Sequence, residues 1–292
     1  MSLGAYIFRK HCKKSDTARD AGLTTPEDIV RYDDIRYGTD RKWQTLDVYR
    51  PKNAEGEILP VIVSVHGGGW IYGDKEVYQY YCMSLAQRGF AVVNFNYRLA
   101  PKHKFPAAME DTNSVFAWVK YNAARYGFDL DRLFVVGDSA GAQGAAMYAC
   151  ILTNPEYAKR FAFETPEHLR IKALGLACGL YDIRDRKPRD RSNGLWDTLP
   201  DKGSVEELET MSPAAFVTAE YPPCFVFTAV HDFLLDQPAK LTERLDACGV
   251  PYESKIYGDD AHPLAHVFHC DVKTESAKQA NDDQCAFFRK YC

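Results

Sequence analysis

Residues 137–141 place a serine between two glycines, in the order Gly-Asp-Ser-Ala-Gly. An apolar segment predicted as a strand precedes this motif, and a run of small residues predicted as a helix follows it. A sharp strand-to-helix turn of this kind holds the serine in a strained backbone conformation, so that its hydroxyl stands clear of its neighbours. The N-terminus of the following helix also favours a developing negative charge. The pattern therefore predicts that Ser139 is a nucleophile.

Residues 66–70 read His-Gly-Gly-Gly-Trp and follow another apolar segment. Three successive glycines leave the backbone N–H groups uncovered by side chains. We expect the amides of Gly68 and Gly69, together with that of Ala140, to donate hydrogen bonds to the oxyanion of a tetrahedral intermediate. His66 is expected to brace this loop by hydrogen bonding and not to act in catalysis. A simple tight turn after a strand is the alternative interpretation.

A serine nucleophile requires a base, and the base requires a carboxylate that orients it. Asp232 ends the apolar segment 224–230 and is the main candidate for the acid. Asp236 is the lesser candidate, and it is expected instead to cap the helix that follows. In α/β-hydrolases the chain order is serine, acid and histidine. The candidates for the base that satisfy this order are His262, His266 and His269.

The elements that must position these residues alternate between short β-rich and helical segments from about residue 45 onward. The predicted strands span residues 45–49, 61–65, 90–95, 133–136, 173–178, 224–230 and 252–257. The predicted helices span residues 76–88, 106–126, 140–152, 239–248 and 273–290. Several strands are continuous apolar runs, which suits strands that helices cover on both faces. We therefore predict a single α/β domain over residues 1–292, with a mostly parallel central sheet.

Residues 1–44 and 181–212 interrupt this alternation. The second stretch carries a dense run of mixed charges, which is typical of a solvated loop, but its length and position favour a lid over the active site. Residues 1–44 are expected to contribute to the same small cap.

Composition excludes several other classes of protein. The chain of 292 residues is 46% hydrophobic and 26% charged with a net charge of −4, which gives no electrostatic footprint for nucleic acid. No apolar run approaches the roughly 20 residues that cross a bilayer, and no secretory signal is visible. The nine cysteines are scattered without a Cys-x-x-Cys pair, which favours reduced thiols in a cytoplasmic protein.

Taken together and in order, five motifs resemble those of the hormone-sensitive-lipase-like branch of the α/β-hydrolases, the microbial carboxylesterases. They lie at residues 66–69, 97–101, 105–111, 137–141 and 232–236. The resemblance implies the α/β-hydrolase fold and identifies Asp232 as the catalytic acid. It also implies that His266 is the base, although His266-Val-Phe268 has valine where the family has the glycine of His-Gly-Phe. His262 is the main alternative, but the neighbouring Pro263 suits a structural turn.

This set of residues predicts a serine carboxylesterase that hydrolyses short-chain esters, acetyl to butyryl, through an acyl-enzyme and without a metal or an organic cofactor. The expected partner is a small-molecule ester, and a homodimer is left open. A carbohydrate acetyl esterase is one alternative, and an arylformamidase-like hydrolase is another because residues 66–70 also resemble the loop of that family. A non-catalytic receptor of the same fold is a third. Zinc bound by His262, His266 and His269 is disfavoured, because Pro263 interrupts their spacing and no His-Glu-x-x-His is present.

Overall fold

The computed structural model of the protein describes residues 3–185 and 195–292. The strands are β1 (Ile29–Arg36), β2 (Thr45–Pro51), β3 (Leu59–Val65), β4 (Ala91–Phe95), β5 (Phe128–Asp138), β6 (Ala173–Ala177), β7 (Cys224–Ala229) and β8 (Tyr252–Tyr257). The helices are α1 (Leu3–Asp20), α2 (Lys75–Ala86), α3 (Ala107–Tyr126), α4 (Ala140–Thr153), α5 (Pro155–Ala158), α6 (Leu195–Thr198), α7 (Val205–Thr210), α8 (Gln237–Cys248) and α9 (Glu275–Arg289).

The described strands form one eight-stranded sheet in the order β1-β2-β4-β3-β5-β6-β7-β8. Strand β2 is antiparallel to both of its neighbours, and every pairing from β4 to β8 is parallel. This arrangement confirms the predicted α/β fold with a mostly parallel sheet.

Successive strand residues contribute to two apolar clusters, one on each face of the sheet. In β3, Val61 and Val63 belong to the cluster that includes α3, α4 and α8, whereas Ile62 belongs to the cluster that includes α2 and α9. Because helices cover both faces, the strand is apolar at consecutive positions and not only at alternate ones. Both clusters bury the strands whose carboxyl ends carry the functional loops.

Two elements in the first 40 residues were not predicted from the sequence. Strand β1 pairs with β2 from Ile29–Pro51 to Arg36–Thr45, and α1 precedes it. Most of β1 is exposed or half-buried, so its residues show no apolar alternation. In α1, only Ala5 is buried among the described residues, so this helix likewise carries little apolar signal.

The stretch predicted as a lid is only partly described, because residues 186–194 lie outside the described residues. Its flanks contain α6 and α7, and they contribute buried side chains to the cluster that includes α4. These are Tyr181, Ile183, Leu199, Leu208 and Met211. None of the helices in residues 3–185 and 195–292 combines the length and apolar character that crossing a bilayer requires.

Candidate active site

Ser139 occupies the sharp turn between β5 and α4, as the sequence pattern predicted. Its backbone has φ 53° and ψ −120°, a strained positive-φ conformation that costs a non-glycine residue on the order of 1–3 kcal/mol. The flanking glycines permit this turn, because a Cβ on Gly137 would lie 2.5 Å from the carbonyl carbon of Gly141, and one on Gly141 would lie 2.0 Å from the carbonyl oxygen of Val65. The Ser139 amide donates to the Ala177 carbonyl at 2.9 Å, which fixes the turn to β6.

Asp232 and His266 form a hydrogen-bonded pair at the carboxyl ends of β7 and β8. His266 Nδ1 lies 2.8 Å from Asp232 Oδ1. The same carboxylate accepts from Thr228 Oγ1 at 2.7 Å and from the Leu234 amide at 2.8 Å. Burial alone would raise the pKa of Asp232, but the hydrogen bond and charge of His266 lower it to about 2. Asp232 is therefore ionised at neutral pH and suited to orient an imidazole.

The other two candidate histidines occupy different environments. The side chain of His262 is 84% exposed and pairs with Asp259 at 3.2 Å. His269 is fully buried against the edges of Tyr81 and Phe227, and burial lowers its pKa to about 3. His266 is the one of the three that contacts Asp232. Its side chain is 19% exposed, which leaves part of the ring accessible from the surface.

The loops that carry Ser139, Asp232 and His266 meet at residues 177–178. The Val267 amide, next to His266, donates to Cys178 Sγ at 3.3 Å, and Ala177 accepts from the Ser139 amide. The His231 amide donates to the Leu264 carbonyl at 3.0 Å, which joins the acid loop to the histidine loop. The three predicted residues are thus held on adjoining loops at one edge of the sheet.

The predicted cap role of Asp236 is wrong in its contacts. Asp236 does occupy the position before α8, but its side chain accepts no hydrogen bond from the first amides of that helix. It instead accepts from Gln237 Nε2 at 3.0 Å and lies 3.4 Å from Lys240. Because its backbone is already helical, its carboxylate is not directed at those amides.

The glycine loop between β3 and α2 adopts the open backbone that an oxyanion site needs. Gly68 and Gly69 have φ values of 114° and 61°. Within residues 3–185 and 195–292, neither amide donates a hydrogen bond, so both remain available. The amide of Ala140, the first residue of α4, has no partner inside its own helix.

His66 braces this loop from inside the core. Its ring is fully buried, stacks on Tyr97 at a centroid distance of 4.0 Å, and places Nδ1 2.7 Å from the Gly67 carbonyl oxygen. Burial lowers the pKa of His66 to about 4, so the ring is neutral at physiological pH. Tyr97 also donates through its hydroxyl to the His66 carbonyl at 2.7 Å. These contacts agree with a structural role for His66.

Helix α1 lies against the outer side of the glycine loop. The ring of Phe8 lies 3.6 Å from where a Cβ on Gly69 would stand. The guanidinium of Arg9 donates to the carbonyls of Ile71 and Ala100, and the Tyr72 hydroxyl donates to Asp16 Oδ2 at 2.8 Å. Helix α1 therefore supports the glycine loop, a contact that the sequence did not reveal.

Two further residues around Asp232 were missed by sequence reasoning. Thr228 supplies a hydroxyl from inside an otherwise apolar strand, and Cys178 brings its sulfur beside the same carboxylate. The isolated polar residue four positions before Asp232 was a usable signal for Thr228. Cys178 gave none, because a cysteine at a strand end is usually an ordinary apolar residue.

Sulfur, carboxylate and imidazole atoms of Cys178, Asp232 and His266 all lie within 4.8 Å of one another. Within residues 3–185 and 195–292, this is the one such group of potential metal ligands. His266 Nδ1 and Asp232 Oδ1 already hydrogen-bond each other at 2.8 Å, so the geometry favours an acid–base pair. His262 and His269, which the zinc alternative required beside His266, do not belong to this group.

The fold and the arrangement of these loops are those of an α/β-hydrolase. The family model BD-FAE matches residues 46–245, and the chain therefore belongs to the BD-FAE family. Among curated proteins, esterase LipC of Mycobacterium tuberculosis is 29% identical over 224 residues, which cover 73% of this chain and 54% of LipC. The chain thus spans about half the length of that relative.

Two further comparisons cover more of both chains. An acetyl esterase of Salmonella schwarzengrund is 28% identical over 273 residues, which cover 86% of this chain and 74% of the relative. The crystal structure of inhibited esterase B from Lactobacillus rhamnosis superposes with a TM-score of 0.89 at 26% identity, covering 98% of this chain and 95% of that chain. These similarities confirm the predicted resemblance to hormone-sensitive-lipase-like carboxylic ester hydrolases.

Proposed function

We propose that this protein is a serine carboxylesterase that hydrolyses short-chain acyl esters through Ser139, His266 and Asp232. The observation that carries the proposal is the 2.8 Å pair of Asp232 and His266, on loops joined to the strained turn that presents Ser139. Side chains in these three roles, beside open amides, are what acyl transfer requires.

The reaction proceeds in two halves. His266 removes the proton from the Ser139 hydroxyl through Nε2 while the serine oxygen attacks the ester carbonyl carbon. The carbonyl oxygen becomes an oxyanion, which accepts hydrogen bonds from the amides of Gly68, Gly69 and Ala140. When the intermediate collapses, the bond to the alcohol breaks and the alcohol leaves with the proton from His266. Asp232 stays ionised and stabilises the imidazolium.

Water completes the cycle by the same steps. His266 takes a proton from water as the water oxygen attacks the acyl-enzyme carbonyl, and the resulting intermediate releases the carboxylic acid. The proton returns to the Ser139 oxygen, which restores the starting enzyme. Every proton transfer therefore uses one imidazole, and the second product is the free acid.

The preference for short acyl groups is supported by what the similar proteins are named for. One similar protein is named an acetyl esterase. A crystal structure of esterase B is described as that of the enzyme with a C4–C4 tributyrin phosphonate inhibitor. Esterase B resembles this chain over almost its whole length. An acyl range from acetyl to butyryl is therefore the range we assign to this chain.

We also infer that two segments form a small cap over this site. Residues 1–44 contribute α1, whose Phe8 and Arg9 contact the glycine loop. Residues 181–212 start from Tyr181 and Ile183, whose amides are fixed by Gln237 Oε1 at 3.0 Å and Ser212 Oγ at 2.9 Å.

A panel of nitrophenyl esters from acetyl to octanoyl, together with acetylated xylose and an N-formyl arylamine, tests the proposal. We expect turnover to be highest for acetyl or butyryl esters, and we expect Ser139→Ala to lower kcat by about six orders of magnitude. A faster rate on acetylated xylose would favour the carbohydrate esterase alternative, and one on the formamide the arylformamidase alternative. Full activity in Ser139→Ala would contradict the mechanism.

A further inference from the structure

An open cleft lies between α1, the residues that lead from β1 to β2, and the segment from the end of the glycine loop to the start of α2. Its volume is about 860 Å³, within the range of pockets that bind small organic molecules. We define the basic cleft by the side chains that carry its charge and its aromatic wall, which are Arg9, Lys13, Arg36, Arg41, Lys42 and Trp43. None of them has a role in the proposed ester hydrolysis as catalyst or oxyanion donor.

Several of these cations have no acid to neutralise them. Within residues 3–185 and 195–292, the side chains of Lys13, Arg36 and Arg41 form no hydrogen bond and no ion pair. Lys42 lies over the ring of Trp43 at 4.7 Å and likewise forms no ion pair there. Unpaired cations that line one cleft raise its positive potential and hence its affinity for anions, although these side chains are exposed to solvent.

The acids that share the cleft wall are already occupied by other groups. Asp34 and Glu76 bind Nζ of the buried Lys75 at 2.9 Å and 2.8 Å, and Lys75 itself does not line the cleft. Asp74 accepts the Val77 amide at 2.8 Å as the cap of α2. Lys75 is also shared with Asp47, so these carboxylates keep part of their negative charge. The lining still has five cationic side chains against three carboxylates, an excess of positive charge in a chain whose net charge is −4.

The shape of the cleft is fixed by contacts in its walls. Arg9 anchors α1 to the carbonyls of Ile71 and Ala100, and Tyr72 holds the next turns of α1 through Asp16. Trp43 is half-buried and supplies an apolar wall for the non-polar part of a ligand. These contacts hold the backbone that carries part of the cleft wall, whereas the exposed cations Lys13, Arg36 and Arg41 have to be ordered by the ligand itself.

We propose that the basic cleft binds a small polyvalent organic anion that carries phosphate or carboxylate groups. Arg36 and Arg41 present guanidinium groups that can each bind such a group through two parallel hydrogen bonds, and Lys13 adds a point charge. The site is separate from Ser139 in function, so its occupancy does not depend on whether the chain hydrolyses esters.

Calorimetric titration at constant ionic strength tests this site with inorganic pyrophosphate and with citrate as probes. We expect saturable binding of at least one probe, and an affinity at least tenfold lower in the double variant Arg36→Glu/Arg41→Glu. Pyrophosphate alone would identify phosphate as the preferred group, whereas citrate alone would identify carboxylate. Binding of both would show that the cleft recognises charge and not one particular group.

The control is Lys10→Glu/Lys273→Glu, which changes the net charge by the same amount at two exposed residues outside the cleft. Its affinity should stay within twofold of the original chain. Lys13→Glu, on α1, should weaken binding independently of the first pair, and unfolding curves show that each variant is folded. Absence of saturable binding for both probes, or an equal loss in the control variant, would overturn the proposal.

Discussion

The two sides of the active site are held by different kinds of contact. On the acid–base side, side chains hold side chains, since Asp232 bonds His266 at 2.8 Å and Thr228 at 2.7 Å. On the oxyanion side, the groups that would act are backbone amides, and their position depends on the φ values of Gly68 and Gly69. Helix α1 supports this second side from outside through Phe8 and Arg9.

This difference determines what a substitution can reveal. Replacing a side chain on the acid–base side removes a chemical group and leaves most of the backbone in place. Only proline removes a backbone N–H, and its ring would also force φ to about −65°, far from the positive φ values of Gly68 and Gly69. The oxyanion side is therefore tested by displacing the loop. The two sides should therefore respond to mutation with different sizes of effect and different losses of stability.

The largest effect after loss of the serine is expected on the acid–base side. Asp232→Asn should lower kcat by about 10⁴-fold, because the amide no longer orients the imidazole or stabilises its cation. His266→Ala should cause a loss of at least that size, whereas His262→Ala should retain full turnover because His262 is exposed and pairs with Asp259. Steady-state kinetics on nitrophenyl butyrate measure all three. If His262→Ala lost turnover and His266→Ala kept it, the base would be His262 and not His266.

On the oxyanion side, Gly68→Ala should lower kcat by roughly 100–1000-fold, a loss comparable to that of one oxyanion donor. The added Cβ would lie 2.2 Å from the Tyr72 carbonyl oxygen, so the loop has to move. Gly56→Ala is the matched control, since Gly56 also has a positive φ of 80° but no heavy atom lies within 4 Å of its Cβ position. Gly56→Ala should lower the free energy of unfolding by only about 1 kcal/mol, the conformational cost of alanine at a positive φ, and should leave turnover unchanged. Equal turnover in both variants would show that the loop does not serve the reaction.

The two sides also differ in how far the sequence predicted them. The turn at Ser139 and the glycine loop depend on local patterns, because each needs glycines at fixed positions along a few residues. The choice among His262, His266 and His269 depends on which one the loop after β8 brings to Asp232, and that is a long-range property. Resemblance to a family supplied the choice of His266, which the residues alone had left open.

The N-terminal region was the least predictable part of the fold. Helix α1 and strand β1 are mostly exposed, so neither shows the periodic apolar pattern that identified the inner strands and helices. The role of α1 depends on Phe8 and Arg9 reaching residues more than 60 positions away. The contacts of Cys178 could not be predicted from the sequence either. They are made to the Val267 amide and the Asp232 carboxylate, which only the fold brings to its sulfur.

Cys178 offers a smaller test of how the acid–base side is held. Cys178→Ala removes the sulfur that accepts the part-buried Val267 amide at 3.3 Å. A fully buried amide left without a partner costs about 1–3 kcal/mol, and a part-buried one costs less because water can reach it. We expect kcat to fall about tenfold with little change in KM, because the loop beside His266 loses an anchor. Cys178→Ser keeps a polar atom and should recover part of the loss. If both variants matched the original chain in kcat, Cys178 would be an ordinary core residue.

The smallest effect on turnover is expected at Asp138, whose side chain connects the serine turn to the glycine loop. It precedes Ser139, accepts from the Tyr78 hydroxyl at 2.7 Å, and accepts from the Gly67 amide at 3.2 Å. Burial raises the pKa of Asp138 to about 6. Between about pH 4 and pH 6 the folded state therefore holds a proton that the unfolded state has lost, so the free energy of unfolding falls as pH rises. The total fall is about 3 kcal/mol at most.

Asp138→Asn should abolish this dependence while changing kcat only a few-fold, because the amide oxygen still accepts one of the two hydrogen bonds. Urea unfolding at pH 4.5 and pH 7 measures the change, with the exposed Asp260→Asn as control. The stability of Asp138→Asn relative to the original chain should increase with pH, and Asp260→Asn should show no such increase. A relative stability that stays constant with pH would mean that Asp138 is ionised throughout. In that case the hydrogen bonds from Tyr78 and Gly67 outweigh its burial, and the two sides share a fixed charge instead of a titrating one.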